Sequence, residues 1–374
     1  MEKRGLFEHA KERQLDKILE KYGDNISNIN DLTAGEDPSL LFYILVNKFG
    51  YLLEPESLKG QSVDAIKVRR KIHNIIEKVG PIFLSNPQII ENRYKLMYPT
   101  AVNPPREKGI ILPKEPVIWA ANHAFKDDTL ATVLAAYRHA YILFGSLPQF
   151  FNTLDGVTAA MNGVVMTNRK VKTSRAVSVE KSSQVLKNGA DLIMFPEGVW
   201  NKTPEKLLID LWPGIYRIAK ETGAKVVPVV HYLRDCTAKK SKDNIIHTVV
   251  DDPIRIDNLS EKDGLRYLRD TMATWYYLMM EKYGRSMRDI EISNNSSYND
   301  CWEKHLNERV ATAKRYDPEI EFCADYRPKD KVEPEDVFEQ IANISNITPA
   351  NKDHVEYAKQ LVKMRNERNY QRRF

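Results

Sequence analysis

The sequence predicts an α/β fold, a central and mostly parallel sheet flanked by helices, with extra helical segments at both termini. Three observations carry this. Short apolar runs recur at 116–120, 163–167, 191–195 and 224–230, and each ends at a polar or turn residue. Helix-patterned segments separate them, and strand–helix alternation of this kind builds parallel sheets. The stretches 1–105 and 291–374 carry helical patterns without such runs, which sets them apart from a central domain at 106–290.

Taken in order, 6–22 reads as a charged amphipathic helix and 38–49 as a second, carrying Leu40, Leu41, Tyr43, Ile44 and Leu45. A third runs over 61–79, with Ile66, Val68, Ile72, Ile75 and Ile76 apolar and Lys67, Arg69, Arg70 and Lys71 beside them; Gly80-Pro81 is expected to stop it. Pro104-Pro105 and Gly109 mark the start of the sheet region. Its strands alternate with helices over 129–138, 174–187 and 211–222. A β-branched run over 244–250 adds a strand leading into the Asp252-Pro253 turn. The segment 260–283 is a helix rich in Tyr, Trp and Met, whose Tyr276, Tyr277, Met279 and Met280 read as core. Beyond it, helices are expected over 299–315, 334–343 and 350–368, with a basic, frayed end from 365 to 374.

Composition bounds the function. A net charge of +5 among 374 residues is mildly basic and gives no ground for a nucleic-acid partner. The three cysteines, Cys236, Cys301 and Cys323, lie far apart without metal-type spacing, so no metal is expected and a reduced, cytoplasmic setting fits. The first residues lack a signal-peptide core, and no run approaches the ~18 apolar residues of a membrane span. The expected location is cytoplasmic, soluble or peripheral at the inner membrane face.

One motif suggests chemistry. Asn122-His123 follows the strand at 116–120, and Asp128 opens the next helix. A neutral imidazole takes a proton well near pH 7. A carboxylate on its other ring nitrogen fixes the tautomer and stabilises the charged ring. Five residues along one helix rotate by about 140°, so the pair can meet only if His123 precedes the helix. The same spacing recurs at His247 and Asp252, inside a strand pattern, and reads as accidental. His139 and His231 read as structural.

Downstream of His123 stand Gly163-Val164-Val165-Met166-Thr167-Asn168-Arg169, then Phe195-Pro196-Glu197-Gly198, then Val227-Pro228-Val229. With Asn122-His123 and Asp128, these blocks resemble the glycerolipid acyltransferase family, in order and spacing, over roughly residues 110–260. The resemblance implies that His123 is a general base with Asp128 as its partner. It places Asn122, Gly163, Arg169, Glu197 and Gly198 at the acceptor, where a phosphate is held, and Pro228 with acyl-donor binding and packing. The chain departs from the family where Glu-Gly-Thr-Arg-Ser is usual: it reads Glu197-Gly198-Val199-Trp200-Asn201, with Trp200 in place of a second arginine. Lys202 lies nearby but is a flexible point charge rather than a planar fork. Thr167-Asn168 also replaces a more hydrophobic or charged pair.

The expected reaction moves an acyl group from acyl-CoA or acyl carrier protein to a hydroxyl of a (lyso)glycerolipid-type acceptor, with no other cofactor. One alternative is transfer to an amine or another non-phosphate acceptor, lipid or small molecule. Another is a non-catalytic lipid- or acyl-carrier-binding protein on the same fold. Reversible contact with a membrane surface is expected through 66–84, where the basic cluster lies beside apolar residues.

Overall fold

The computed structural model describes residues 2–22, 39–44, 47, 63–83, 113–123, 128–136, 138–145, 154–167, 172–199, 201, 207–233, 246–283, 341–344, 347, 349 and 352–371. The elements are α1 (Glu2–Tyr22), α2 (Val63–Phe83), β1 (Ile118–Ala121), α3 (Asp128–Ala135), β2 (Ala140–Phe144), α4 (Leu154–Asn162) and β3 (Val164–Met166). They continue with α5 (Lys172–Lys187), β4 (Asp191–Met194), α6 (Gly214–Thr222), β5 (Val226–Leu233), β6 (Ile246–Val250), α7 (Glu261–Tyr283) and α8 (Lys352–Gln371). The expected helix over 299–315, Arg169, Trp200, Lys202, and the Pro104, Pro105 and Gly109 boundary lie outside the described residues. So does most of 334–343, of which residues 341 and 342 are helical.

Six strands form one sheet in the order β3-β2-β4-β1-β5-β6. Every pairing is parallel except β5 with β6. This is the expected mixed but mainly parallel sheet. Parallel strands covered on both faces need apolar residues throughout, and β1, β3, β4 and β6 are buried at every position. Alternation divides their side chains between two cores. Ile118, Ala120, Leu192, Met194, Val226 and Val230 face Val185, Ile215, Ile218 and Met272, from α5, α6 and α7. Trp119, Ile193, Val227 and Val229 face Ile18, Val133, Ala135 and Ala159, from α1, α3 and α4. Met279 is fully buried, and Tyr276, Tyr277 and Met280 pack against the first core. The Tyr277 hydroxyl also meets the His354 ring, tying α8 to α7.

β2 and α4 were not expected from the sequence pattern. The signal for β2 was present in Ala140-Tyr141-Ile142-Leu143-Phe144, an apolar run bounded by Gly145. It lay too close behind the helical run over 129–138 to be separated from it. α2 also continues through Gly80-Pro81 to Phe83. A side chain at Gly80 would come within 3.2 Å of Leu130, so close packing on α3 holds the chain helical past its breakers.

In the basic cluster of α2, Lys67, Arg70 and Lys71 face solvent and Arg69 does not. Ile66 and Arg69 are buried, at 1% and 3% exposure. The Arg69 guanidinium donates to the carbonyls of Ala160 and Met161, the last turn of α4, and lies 5.3 Å from the Tyr141 ring. Arg70 donates to the Gly189 carbonyl at 2.6 Å. Two of the four cations therefore fasten α2 to the fold.

Candidate active site

Parallel strands send their carboxyl ends to one edge, where ligands of such sheets bind. Asn122-His123 leaves that edge after β1, Thr167 after β3 and Phe195-Pro196-Glu197-Gly198 after β4. His123 Nδ1 lies 2.8 Å from Asp128 Oδ2. Asp128 is the first residue of α3 and its side chain is fully buried, while the imidazole is 23% exposed. A carboxylate in the first helical turn lies at the positive end of the helix. The Phe195 ring lies against the imidazole, centroids 4.6 Å apart. The pair therefore has a dry carboxylate behind and a reachable ring in front. With Nδ1–H donated to Asp128, Nε2 is the nitrogen placed to accept a proton.

Three contacts fix the main chain at His123. Its N–H donates to Glu197 Oε1 at 2.9 Å. Its carbonyl accepts from the Asn201 N–H at 2.9 Å. The preceding Asn122 N–H donates to the Val229 carbonyl at 3.3 Å. Glu197 is fully buried, and its other oxygen accepts the Ile209 N–H at 3.0 Å. That carboxylate ties β4, the His123 turn and the 207–209 segment together. Asn122 is also buried: its Oδ1 accepts the His231 N–H at 2.7 Å and its Nδ2 donates to the His231 carbonyl at 3.0 Å. The structure thus gives Glu197 and Asn122 bracing contacts, where the sequence suggested contact with an acceptor.

Gly198 stays at this edge with a φ of +74°, and a side chain there would come within 2.8 Å of the Trp212 ring. Trp212, 39% exposed, is an aromatic neighbour of the site that the sequence pattern did not single out. Gly163 lies elsewhere. It precedes β3, at the amino ends of the strands, with a φ of +123° and Tyr141 within 2.9 Å of where a Cβ would stand. Its placement is a packing requirement, and the structure does not bring it to His123.

Pro228 sits inside β5, paired with Ala120 of β1. Along the other side of β5, Val229 pairs with Val250 but Val226 bridges to Ile254, so the partner strand carries one extra residue there. A proline without an N–H suits that bulge. The second His-x4-Asp copy is accidental in the fold: His247 lies within β6 and stacks on Tyr283 at 3.5 Å between centroids. Among the described residues no group of three or more His, Cys, Asp or Glu could hold a metal ion. No described helix is long and apolar enough to cross a membrane.

Residues 99–232, which include the His123–Asp128 pair and the edge around it, match the family model described as Acyltransferase. A 1-acyl-sn-glycerol-3-phosphate acyltransferase of Chlamydomonas reinhardtii is 25% identical over 117 residues, covering 31% of this chain and 34% of that protein. The match thus spans about a third of that relative's length. The crystal structure of the 1-acyl-sn-glycerophosphate (LPA) acyltransferase PlsC from Thermotoga maritima aligns with a TM-score of 0.42 and 17% identity, over 64% of this chain and 92% of that one. Both sequence matches are to acyltransferases.

Proposed function

We propose that the chain transfers an acyl group from the thioester of acyl-CoA or acyl carrier protein to a hydroxyl of a (lyso)glycerolipid-type acceptor. The observation that carries this reading is the His123–Asp128 contact of 2.8 Å at the carboxyl edge of the sheet, with the carboxylate buried and the ring accessible. His123 Nε2 takes the proton of the acceptor hydroxyl as its oxygen bonds to the thioester carbonyl carbon. The carbon–sulfur bond then breaks, and the imidazolium returns the proton to the leaving thiolate. Asp128 holds the imidazole in register and stabilises its charged form. Asn122 and Glu197 act by fixing the His123 turn, and Arg169 with Gly198 is left to receive the acceptor head group.

The test is acceptor-dependent release of free thiol from acyl-CoA and from acyl carrier protein. It is run with phosphorylated and dephosphorylated acceptors, for the wild type, His123→Ala and Arg169→Ala. Turnover abolished by His123→Ala supports the reading. A raised acceptor KM in Arg169→Ala, seen only with the phosphorylated acceptor, places the phosphate there. A second reading, transfer to an amine or non-phosphate acceptor, is favoured by Trp200 standing where the family pattern carries its second arginine. Equal kinetics on both acceptor forms would select it. Absence of thiol release with every acceptor would leave a lipid- or carrier-binding protein.

A further inference from the structure

Behind the His123–Asp128 pair lies a second histidine, fully buried, to which both halves of the pair are joined. The main chain of His231 is clasped by the Asn122 side chain, at 2.7 and 3.0 Å, directly before His123. The His231 side chain reaches the other half: Nε2 lies 2.8 Å from Thr132 Oγ1, one helical turn after Asp128. That hydroxyl donates its proton to the Asp128 carbonyl at 2.7 Å. Having one proton, it must then accept from the imidazole, so His231 carries its hydrogen on Nε2. Nδ1 is left to accept from the Thr248 hydroxyl, 2.9 Å away on β6. Burial pushes the pKa of this imidazole down to about 4, against the opposing pull of the Asp128 charge. A charged ring would lose this pattern, since both nitrogens would donate and Thr248 could only accept.

We infer that His231 is a positioning residue for the reaction: its neutral imidazole sets the first turn of α3, and so Asp128, while its main chain sets the His123 turn through Asn122. The inference rests on the proposed general-base role of His123. It explains why a histidine stands fully buried in a strand that also holds Val226, Val227, Val229 and Val230. An apolar residue there would pack but would leave the Thr132 oxygen without its donor and the first turn of α3 untied from β5. A misplacement of about 1 Å at the reacting groups, caused by a change away from the chemistry, can cost on the order of 10²-fold in rate.

The experiment compares His231→Leu, His231→Gln and Thr132→Val in the full chain, with folding checked by far-UV circular dichroism. His231→Leu is expected to lower kcat by up to about 10²-fold with both KM values little changed. His231→Gln, whose amide N–H can replace the Nε2 donor, is expected to recover most of that loss. In a His123→Ala background, His231→Leu should lower the residual rate no further, because its effect passes through the base. A folded His231→Leu with wild-type kcat overturns the inference. So does a loss that Gln does not recover and that persists without His123. If His231→Leu fails to fold, Thr132→Val breaks the same link, and wild-type kcat in that variant overturns the inference. His123→Ala alone tests the general base, so a fully active His123→Ala removes that reading separately.

Discussion

The carboxylate of Glu197 holds the backbone N–H of His123 at 2.9 Å, so the turn after β4 fixes the turn that presents His123 after β1. Its second oxygen holds the Ile209 N–H at 3.0 Å, and the side chain is fully buried. Charge-assisted bonds to main-chain donors are short and strong, and they fix geometry more than they bind solute.

Glu197→Gln is therefore expected to lower kcat more than it raises the acceptor KM. The amide turns its NH2 toward one of the two backbone donors and leaves that N–H unsatisfied, at a cost of about 1–3 kcal/mol. Thermal unfolding should show the same loss as a lower Tm. A purely acceptor-binding Glu197 would instead raise KM and leave Tm unchanged, so steady-state kinetics with a melting curve separates the two.

His123→Ala is expected to lose roughly 10²–10⁴-fold in turnover while remaining folded, the usual range for a general base. His247→Ala, at the other His-x4-Asp copy, should keep near-normal turnover. It removes the stacking partner of Tyr283, so its effect should appear in Tm rather than in thiol release. Near-normal turnover in a folded His123→Ala would end the mechanism.

Much of this site is legible in the sequence because strand ends are. Apolar runs broken by Asn122-His123, Thr167-Asn168 and Pro196-Glu197 locate the carboxyl edge before any pairing is known, since a buried parallel strand must end where polar residues begin. The strand order is not legible. Nothing in the local pattern says that β4 inserts between β2 and β1, yet that placement brings Glu197 beneath His123. The division between contact and bracing is also hidden. Asn122 and Glu197 look like polar groups offered to a ligand, until burial shows their atoms engaged within the fold. Gly163 shows the reverse error: a glycine near a motif was required by Tyr141, not by the site.

Acid should destabilise the fold through buried neutral histidines. Burial pushes His139 down to about 3 and His231 to about 4, against 6.5 for an exposed ring. Below pH 6.5 the unfolded chain takes up protons that the folded chain refuses, so stability is full above that pH and falls as pH drops towards 4. Each histidine contributes a slope of at most about 1.4 kcal/mol per pH unit within its own window. Urea unfolding midpoints measured from pH 7.5 to 4.5 should decrease. His139→Phe or His231→Gln should flatten the slope by about one histidine's share, and an unaltered slope in both variants would remove these groups as the cause.

Membrane contact through α2 would draw on part of the segment that its sequence suggested, without Ile66 and Arg69. Arg69 and Ile66 are buried, and Arg70 is bonded to Gly189. Solvent instead meets Ile75, 62% exposed, and Val79, 40% exposed. With Val68 and Ile72 these follow i, i+4, i+7, i+11 spacing, one apolar stripe along the helix. Exposed Lys67, Lys71 and Lys78 run beside it, Lys67 bonded at 3.2 Å to Asp64. A lysine near an anionic surface contributes about 1 kcal/mol, screened over roughly 10 Å at 0.1 M salt. Co-sedimentation with phosphatidylserine-containing liposomes is expected to rise with anionic lipid and to fall with salt. Replacing Lys67, Lys71 and Lys78 with glutamine, or Ile75 and Val79 with serine, should weaken it without lowering Tm. Arg69→Gln should lower Tm instead, because it breaks the link between α2 and α4. If the wild type ignores anionic liposomes at low salt, α2 does not dock, and a soluble acceptor such as glycerol 3-phosphate or a small polar alcohol or amine becomes the better candidate.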